Sequence, residues 1–420
     1  DLALGNNAPV SLYDMSMYSI EYEIIDSQGL TDTLSGLVSF PKDPTKSFPI
    51  ASYQHGTTIE DNNVPSVTGL NLSNQEVSII SIAMASSGFI IMLPDYQGLG
   101  SSRGYHPYII ADTYTPAITN MVRAVKQLST NLNINNSFMY NNQLYLFGYS
   151  EGGYATMAAQ RDIEQSMSDE FNLTATFPMA GPYDLSGTMV DFYLSINFYP
   201  QPYYVANVLF NHLHYYDTLQ NLDQYFLPFW ADTLSSLFDG THSGTFINSM
   251  MPNNPIEILL PDVIDDFSSN SENLFRQTLE ENTLLDWTPV TPTYLIHAIA
   301  DDIIPITNAQ VAYNRFIDNG AESVHLIQMP ESIGGHEDAA PLCLLTALDT
   351  ISSYQIINIK GDVNQDGYLN INDQYLLIDN LLEYATFHIT EHWVSDIDFD
   401  YRLSIFDILS FSYLIENGSN

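Results

Sequence analysis

Gly148-Tyr149-Ser150-Glu151-Gly152-Gly153 follows the apolar run Leu144-Tyr145-Leu146-Phe147 and precedes the helix-compatible Tyr154-Ala155-Thr156-Met157-Ala158-Ala159. A G-x-S-x-G sequence between a strand and a helix predicts a sharp, strained turn. Such a turn lifts the serine hydroxyl out of the sheet and aims the next helix's N-terminus at it. Side chains at 148 and 152 would collide with neighbouring backbone, which explains the glycines. The chemistry this prepares is nucleophilic attack by Ser150.

A serine hydroxyl needs a base, and the base needs an acid to hold its tautomer. Among the ten histidines, His336 stands out in Gly334-Gly335-His336-Glu337, after the last predicted strand and before the last helix of the larger domain. His297 falls inside a strand, where a packed core histidine is the simpler reading. His212 and His214 lie in an aromatic-rich insertion, and His388 and His392 in the C-terminal tail. Asp301 and Asp302, just past a predicted strand, are both candidates for the acid. The oxyanion of an acyl transfer needs two aimed N–H donors. The backbone N–H of Glu151, at the head of the helix, is expected to be one. The loop Gln54-His55-Gly56-Thr57-Thr58 is expected to supply the other, Thr57 first and Thr58 next, unless it is a plain glycine turn.

Strand-like runs at 18–25, 34–40, 49–53, 89–93, 143–148, 173–178, 293–298 and 324–329 surround these residues. Helix-like runs alternate with them at 76–85, 114–132 and 151–165, from 308, and from about 339. This alternation predicts an α/β chain with a mainly parallel sheet and helices on both faces. One block, about 185–285, interrupts it and is dense in aromatics from Phe192 to Trp230. An insertion of that length carries its own structure. It is read as a helical cap over the site, its aromatics forming the cap core or walling an apolar or aromatic acyl group.

Six motifs together resemble the α/β-hydrolase superfamily and, within it, the secretory-lipase-like esterases. They are Tyr53-Gln54-His55-Gly56-Thr57-Thr58, Pro94-Asp95-Tyr96-Gln97-Gly98-Leu99-Gly100, His106-Pro107-Tyr108, the Ser150 turn, Trp287-Thr288-Pro289, and Asp301 to Pro305. The resemblance covers about residues 10–350. It implies the α/β-hydrolase fold, the chain order nucleophile, acid, base, and carboxylic-ester hydrolysis through an acyl-enzyme with no catalytic cofactor. It selects Asp301, four residues before Pro305, as the acid and His336 as the base, and leaves Asp302 as a turn or helix-cap residue. Asp95 and His106 are structural in this resemblance. A Glu directly after the nucleophile also occurs in some peptidases of the fold, so a serine peptidase remains the alternative.

The catalytic domain is expected over 1–355 and a separate module over 356–420. Two segments of the module share the spacing of a calcium loop. In the first the ligands would be Asp362, Asn364, Asp366, the Tyr368 carbonyl, Asn370 and Asp373, with Gly367 at the turn. In the second they would be Asp396, Asp398, Asp400, the Arg402 carbonyl, Ser404 and Asp407, with Tyr401 in place of the glycine. Each loop precedes a helix-like run. The pair resembles a type I dockerin, a small all-α module, which implies two structural calcium ions and a cohesin-bearing partner. Ile371-Asn372 and Ile405-Phe406, at the partner-choosing positions, are unusually apolar, so packing on the chain's own catalytic domain is the other reading.

Composition narrows the classes further. The net charge of −40 arises from 50 acids against only 10 bases. Such a chain is repelled by phosphate backbones, which excludes nucleic acid as a partner. No apolar run is long enough for a membrane-spanning helix. Cys343 is the single cysteine, so no disulfide framework and no cysteine-based zinc site can form. The opening Asp1-Leu2-Ala3 reads as a trimmed N-terminus, and export is expected. The leading expectation is therefore a secreted esterase or lipase-like enzyme acting on small or polymeric esters, such as acetylated or feruloylated polysaccharide or aromatic polyesters. A calcium-dependent adhesive scaffold component is the reading from a different class.

Overall fold

The computed structural model describes residues 11–26, 29–71, 74–129, 138–216, 221–366, 368–382, 393–398 and 402–417. Its centre is a nine-stranded sheet. The strands are β1 (Met15–Ile25), β2 (Thr31–Pro41), β3 (Lys46–Gln54), β4 (Ile90–Pro94), β5 (Met139–Tyr149), β6 (Leu173–Met179), β7 (Thr293–Ala298), β8 (Val324–Met329) and the two-residue β9 (Asn358–Ile359). Their order is β1-β2-β4-β3-β5-β6-β7-β8, with β9 added to β3. The β1–β2, β2–β4 and β3–β9 pairs are antiparallel and all the others parallel.

The central strands are apolar throughout because both faces are covered. Alternate residues feed two separate cores. Ile90 and Met92 of β4 join Leu144 and Leu146 of β5 in one, while Ile91, Leu93, Tyr145 and Phe147 join the other. After the short α1 (Pro65–Thr68) come α2 (Gln75–Ser86), α3 (Ala111–Ser129) and α4 (Glu151–Ser166). Helix α2 packs on the second face through Val77, Ile80 and Met84. Helices α3 and α4 pack on the first through Ile118, Met121, Met157 and Ile163.

Between β6 and β7 the chain forms the expected helical insertion. It contains α5 (Val190–Ser195), α6 (Tyr203–Tyr215), α7 (Pro228–Leu237), α8 (Gly244–Met250), α9 (Pro261–Ser269) and α10 (Leu274–Glu281). Many of its aromatics are core: Tyr199, Tyr203, Phe210, Phe226 and Trp230 are buried, whereas Phe198 and Phe229 are exposed. Two buried polar side chains fasten it to the sheet domain. His212 has Nδ1 at 3.0 Å from Thr278 Oγ1 and Nε2 at 3.2 Å from the Ile109 carbonyl. Asn282 Oδ1 accepts the N–H of Ala111 at 2.9 Å, and its carbonyl accepts the Tyr154 hydroxyl at 2.6 Å.

The chain then returns to the sheet domain with α11 (Thr307–Asp318) and α12 (His336–Ser353). Beyond them, Lys360 N–H donates to the Thr45 carbonyl at 2.8 Å, so the segment opening the C-terminal region is bonded to the main sheet. Helix α13 (Ile371–Leu381) and the helix Ile405–Asn417 follow, around a small core of Leu377, Ile397 and Phe411. Among the described residues no helix is long and apolar enough to cross a membrane.

Burial holds the His212 imidazole down at about 4, against a smaller upward effect of its bond to Ile109. An unfolded histidine titrates near ~6.5, so the folded state binds fewer protons between the two values. Stability is fully present above pH ~6.5 and falls by about 3 kcal/mol on going down to pH ~4. Urea melts from pH 7 to 4 should show this slope, and His212→Gln should flatten it. An unchanged slope in the variant would remove His212 from the account.

Candidate active site

Ser150 joins β5 to α4 with φ 61° and ψ −121°. A non-glycine residue held at positive φ costs about 1–3 kcal/mol and persists only where its surroundings enforce it. Here they do. The Ser150 N–H donates to the Met179 carbonyl at 2.9 Å, and its carbonyl accepts the Tyr154 N–H at 3.1 Å. A Cβ on Gly152 would run into the carbonyls of Gln54 and His55, and one on Gly148 into those of Gly152 and Gln54. The start of α4 is thus pressed against the end of β3, as the glycine spacing demands. Thr156 Oγ1 reinforces the contact by donating to Gln54 Oε1 at 2.9 Å.

Asp301 follows β7 and His336 opens α12 after β8, so both lie at the same, C-terminal, ends of the parallel strands as Ser150. His336 Nδ1 is 2.7 Å from Asp301 Oδ2. The other oxygen, Oδ1, accepts the N–H groups of Ile303 (3.0 Å) and Ile304 (2.8 Å). Burial pushes this carboxyl up, but hydrogen bonds from His297 and His336, and then their charge, outweigh it. The carboxyl ends well below the usual carboxylate range. With a proton on Nδ1 facing a carboxylate, a neutral His336 has its lone pair on Nε2. That atom is buried and has no hydrogen-bond partner. Tyr149, next to Ser150, holds the histidine: its hydroxyl donates to the His336 carbonyl at 2.6 Å and its ring lies 4.9 Å from the imidazole. Asp302 Oδ1 accepts the His336 N–H at 3.0 Å and so caps the start of α12.

The chain 54–58 passes beside the start of α4. His55 stacks on Tyr96 at 4.2 Å, Tyr96 donates to the His55 carbonyl at 2.9 Å, and Thr57 Oγ1 lies 3.0 Å from the Tyr108 hydroxyl. Asp95 is fully buried. It accepts the Ser35 hydroxyl (2.6 Å) and the Ser66 N–H (3.0 Å), ties β2 to α1, and has its carboxyl pushed up by burial. The insertion reaches this end of the sheet. Tyr199 donates to the Ile303 carbonyl at 3.1 Å, and Gln201 Nε2 to Glu337 Oε1 at 3.2 Å. A narrow cleft runs between Thr58, Asp61 and His106 on one side and Asn207, Asn211 and Phe238 on the other, and Ser150 and His336 do not line it.

Two partners of the site were not assigned from sequence. His297, fully buried on β7, places Nε2 at 3.1 Å from Asp301 Oδ2 and 2.8 Å from the Ile304 carbonyl. Its four-residue offset from Asp301 was the available signal. Glu151 turns its side chain to His106 and Tyr114, at 2.7 and 2.9 Å.

In the first C-terminal loop, Asp373 accepts the N–H groups of Asn364 (3.0 Å) and Asn370 (2.9 Å), while Asp366 N–H donates to Asp362 Oδ1 at 3.0 Å. The second loop repeats this: Asp407 accepts the N–H groups of Ile397 and Ser404, both at 2.7 Å. Asp396, Asp398 and Asp407 each bring a carboxylate oxygen within 4.8 Å of the others. Convergent hard oxygens suit a calcium ion. Lys360 Nζ, 3.7 Å from Asp396 Oδ2, opposes one in the second loop. Gly367, Asp400 and Tyr401 lie outside the described residues.

A family model described as secretory lipase matches residues 65–176. No curated protein matches the chain. Among solved structures, the rice cell wall degrading esterase LipA from Xanthomonas oryzae is similar at 27% identity and TM-score 0.73, covering 84% of this chain and 95% of its own. A putative hydrolase from Legionella pneumophila is similar at 27% identity and TM-score 0.74, covering 82% and 90%. Candida antarctica lipase A in its closed state shares the fold at 18% identity and TM-score 0.63, covering 82% of each chain. The fold is that of the α/β-hydrolases, and these likenesses support an ester hydrolase.

Gly152→Ala should cost about 3 kcal/mol or more, since the colliding atoms are backbone carbonyls rather than yielding side chains. Denaturant melts measure it, and an alanine tolerated without loss would show that α4 is not pressed onto β3.

Proposed function

We propose that the chain is a secreted serine carboxylic-ester hydrolase. The observation that carries this is the buried Asp301–His336 pair, whose Nε2 has no hydrogen-bond partner, Ser150 included, and whose ring lies 4.9 Å from that of Tyr149, the residue before the strained Ser150 turn. Ser150 Oγ attacks the ester carbonyl while His336 Nε2 takes its proton. The tetrahedral oxyanion is held by the N–H of Glu151, reinforced by the dipole of α4, and by the N–H of Thr57. Asp301 stabilises the imidazolium, which then protonates the departing alcohol. Water, activated by the same histidine, releases the acid and restores Ser150. The likeness to a cell-wall-degrading esterase supports ester groups on plant polysaccharide as the substrate class, with aromatic polyesters open to the same chemistry. The ester reading is preferred to a peptidase because Glu151 is buried, with Oε1 bonded to His106 and Tyr114 and Oε2 shielded from solvent, rather than offered to a substrate amine.

The C-terminal segment is read as a dockerin-like module. Asp362, Asn364, Asp366, Tyr368, Asn370 and Asp373 would hold one calcium ion. Asp396, Asp398, Asp400, Arg402, Ser404 and Asp407 would hold a second. The ions would lend structural charge compensation and take no part in the chemistry. A cohesin-bearing protein is the expected partner. Exposed Ile371, Ile405 and Phe406 at the loop–helix junctions support an apolar contact there.

Ser150→Ala should lower kcat on short nitrophenyl esters by about 10⁴-fold or more, and retention of turnover would sink the assignment. Acetyl and feruloyl sugars assayed beside aminoacyl amides decide between ester and peptide bonds; rapid amide cleavage with negligible ester turnover would favour the peptidase. Excess chelator should lower the melting temperature of residues 361–420 and leave most ester hydrolysis intact. An unchanged melt would count against the calcium loops.

A further inference from the structure

Glu151 is an unusual neighbour for a nucleophile. Its backbone N–H is the donor assigned to the oxyanion, while its own side chain is a carboxylate buried to 1% exposure at the positive end of α4. An uncompensated negative charge there would offset the helix dipole and oppose the anion formed in the transition state.

The hydrogen bonds identify what compensates it. His106 Nδ1 lies 2.8 Å from the Gln97 carbonyl, which only accepts, so Nδ1 carries a proton. His106 Nε2 lies 2.7 Å from Glu151 Oε1, a contact that requires a second proton between them. Tyr114 decides where that proton resides. Its hydroxyl accepts the Ile109 N–H at 3.0 Å and donates to the same Oε1 at 2.9 Å. Two neighbours converging on one oxygen favour the ionised carboxylate, the better acceptor, over a carboxyl hydroxyl at Oε1, and with it an imidazole protonated on both nitrogens, while Oε2 is buried without a hydrogen-bond partner. Asp61 faces His106 as a second, weaker acidic neighbour. The same ring is fixed in the stack of Tyr96 and lies two residues from Tyr108, whose hydroxyl meets Thr57 Oγ1.

We propose that His106 is the buried counter-ion of Glu151, and that this pair is a positioning device for the oxyanion hole. It neutralises the carboxylate beside the Glu151 N–H, and through Pro107-Tyr108 it fixes the loop carrying the Thr57 N–H. The proposal rests on the serine-hydrolase reading of Ser150, and its test is separate from that of Ser150→Ala.

The test compares wild type, His106→Asn, Glu151→Gln and the double variant by kcat and KM on a short nitrophenyl ester, with near-ultraviolet circular dichroism as the check on folding. Removing the cation alone should lower kcat by about 10- to 100-fold with KM changed by less than about threefold. Glu151→Gln should cost less than His106→Asn. The double variant should recover most of the loss seen in His106→Asn, because the orphaned charge is gone. A merely structural role predicts additive losses instead, and a double variant as slow as His106→Asn overturns the proposal. Should His106→Asn fail to fold, ring-¹⁵N NMR of histidine-labelled folded protein at neutral pH decides. One doubly protonated ring, abolished by Glu151→Gln, is expected; its absence overturns the proposal. If Ser150→Ala remains active, the underlying reading fails first, whatever the pair does.

Discussion

The Asp301 carboxylate is the interaction around which the site is assembled. It receives two backbone N–H groups on one oxygen and two imidazoles on the other. Four donors on one buried carboxylate keep it ionised and leave it no rotational freedom. The backbone pair sets the turn after β7, and the two imidazoles tie β7 to the start of α12. His336 can therefore face the Ser150 turn only in the orientation that the carboxylate allows. The accompanying bonds of Asp302 and Tyr149 hold the backbone of the same histidine from two further elements.

The opposite side of the Ser150 turn is held by close approach of backbone to backbone. Helix α4 begins where its glycines let backbone meet backbone, and a larger residue would separate α4 from β3. The buried Glu151 and His106 then link this helix to the loop of Tyr108 and Thr57. The Asp301–His336 pair and the start of α4 thus hang on two supports, one made by hydrogen bonds and one by close backbone packing with the Glu151–His106 contact, which meet at residues 149–151.

The insertion adds a third constraint. It is anchored to the sheet domain by His212 and Asn282, and beside Asp301 and His336 by Tyr199 and Gln201. Its buried aromatics join the core that also holds one face of the sheet, so the insertion and the sheet domain pack as one body.

Strand and helix identities and the strained turn at Ser150 were legible in the sequence because they are written in local patterns. These are continuous apolar runs for strands covered on both faces, and glycines where backbones touch. The order of Ser150, Asp301 and His336 along the chain was legible through the family motifs. Boundaries were less so. Helix α3 begins at Ala111 rather than 114 because Asn282, 171 residues away, accepts its first N–H. Helix α12 begins at His336 rather than near 339 because Asp302 does the same. The tertiary structure alone decided that His297 shares the Asp301 carboxylate, that Glu151 is matched by His106, and that β9 joins β3. Each is a contact between groups whose side chains carry no periodic signal. Their meaning depends on which partner the fold brings within hydrogen-bond reach, and burial then makes that partner obligatory.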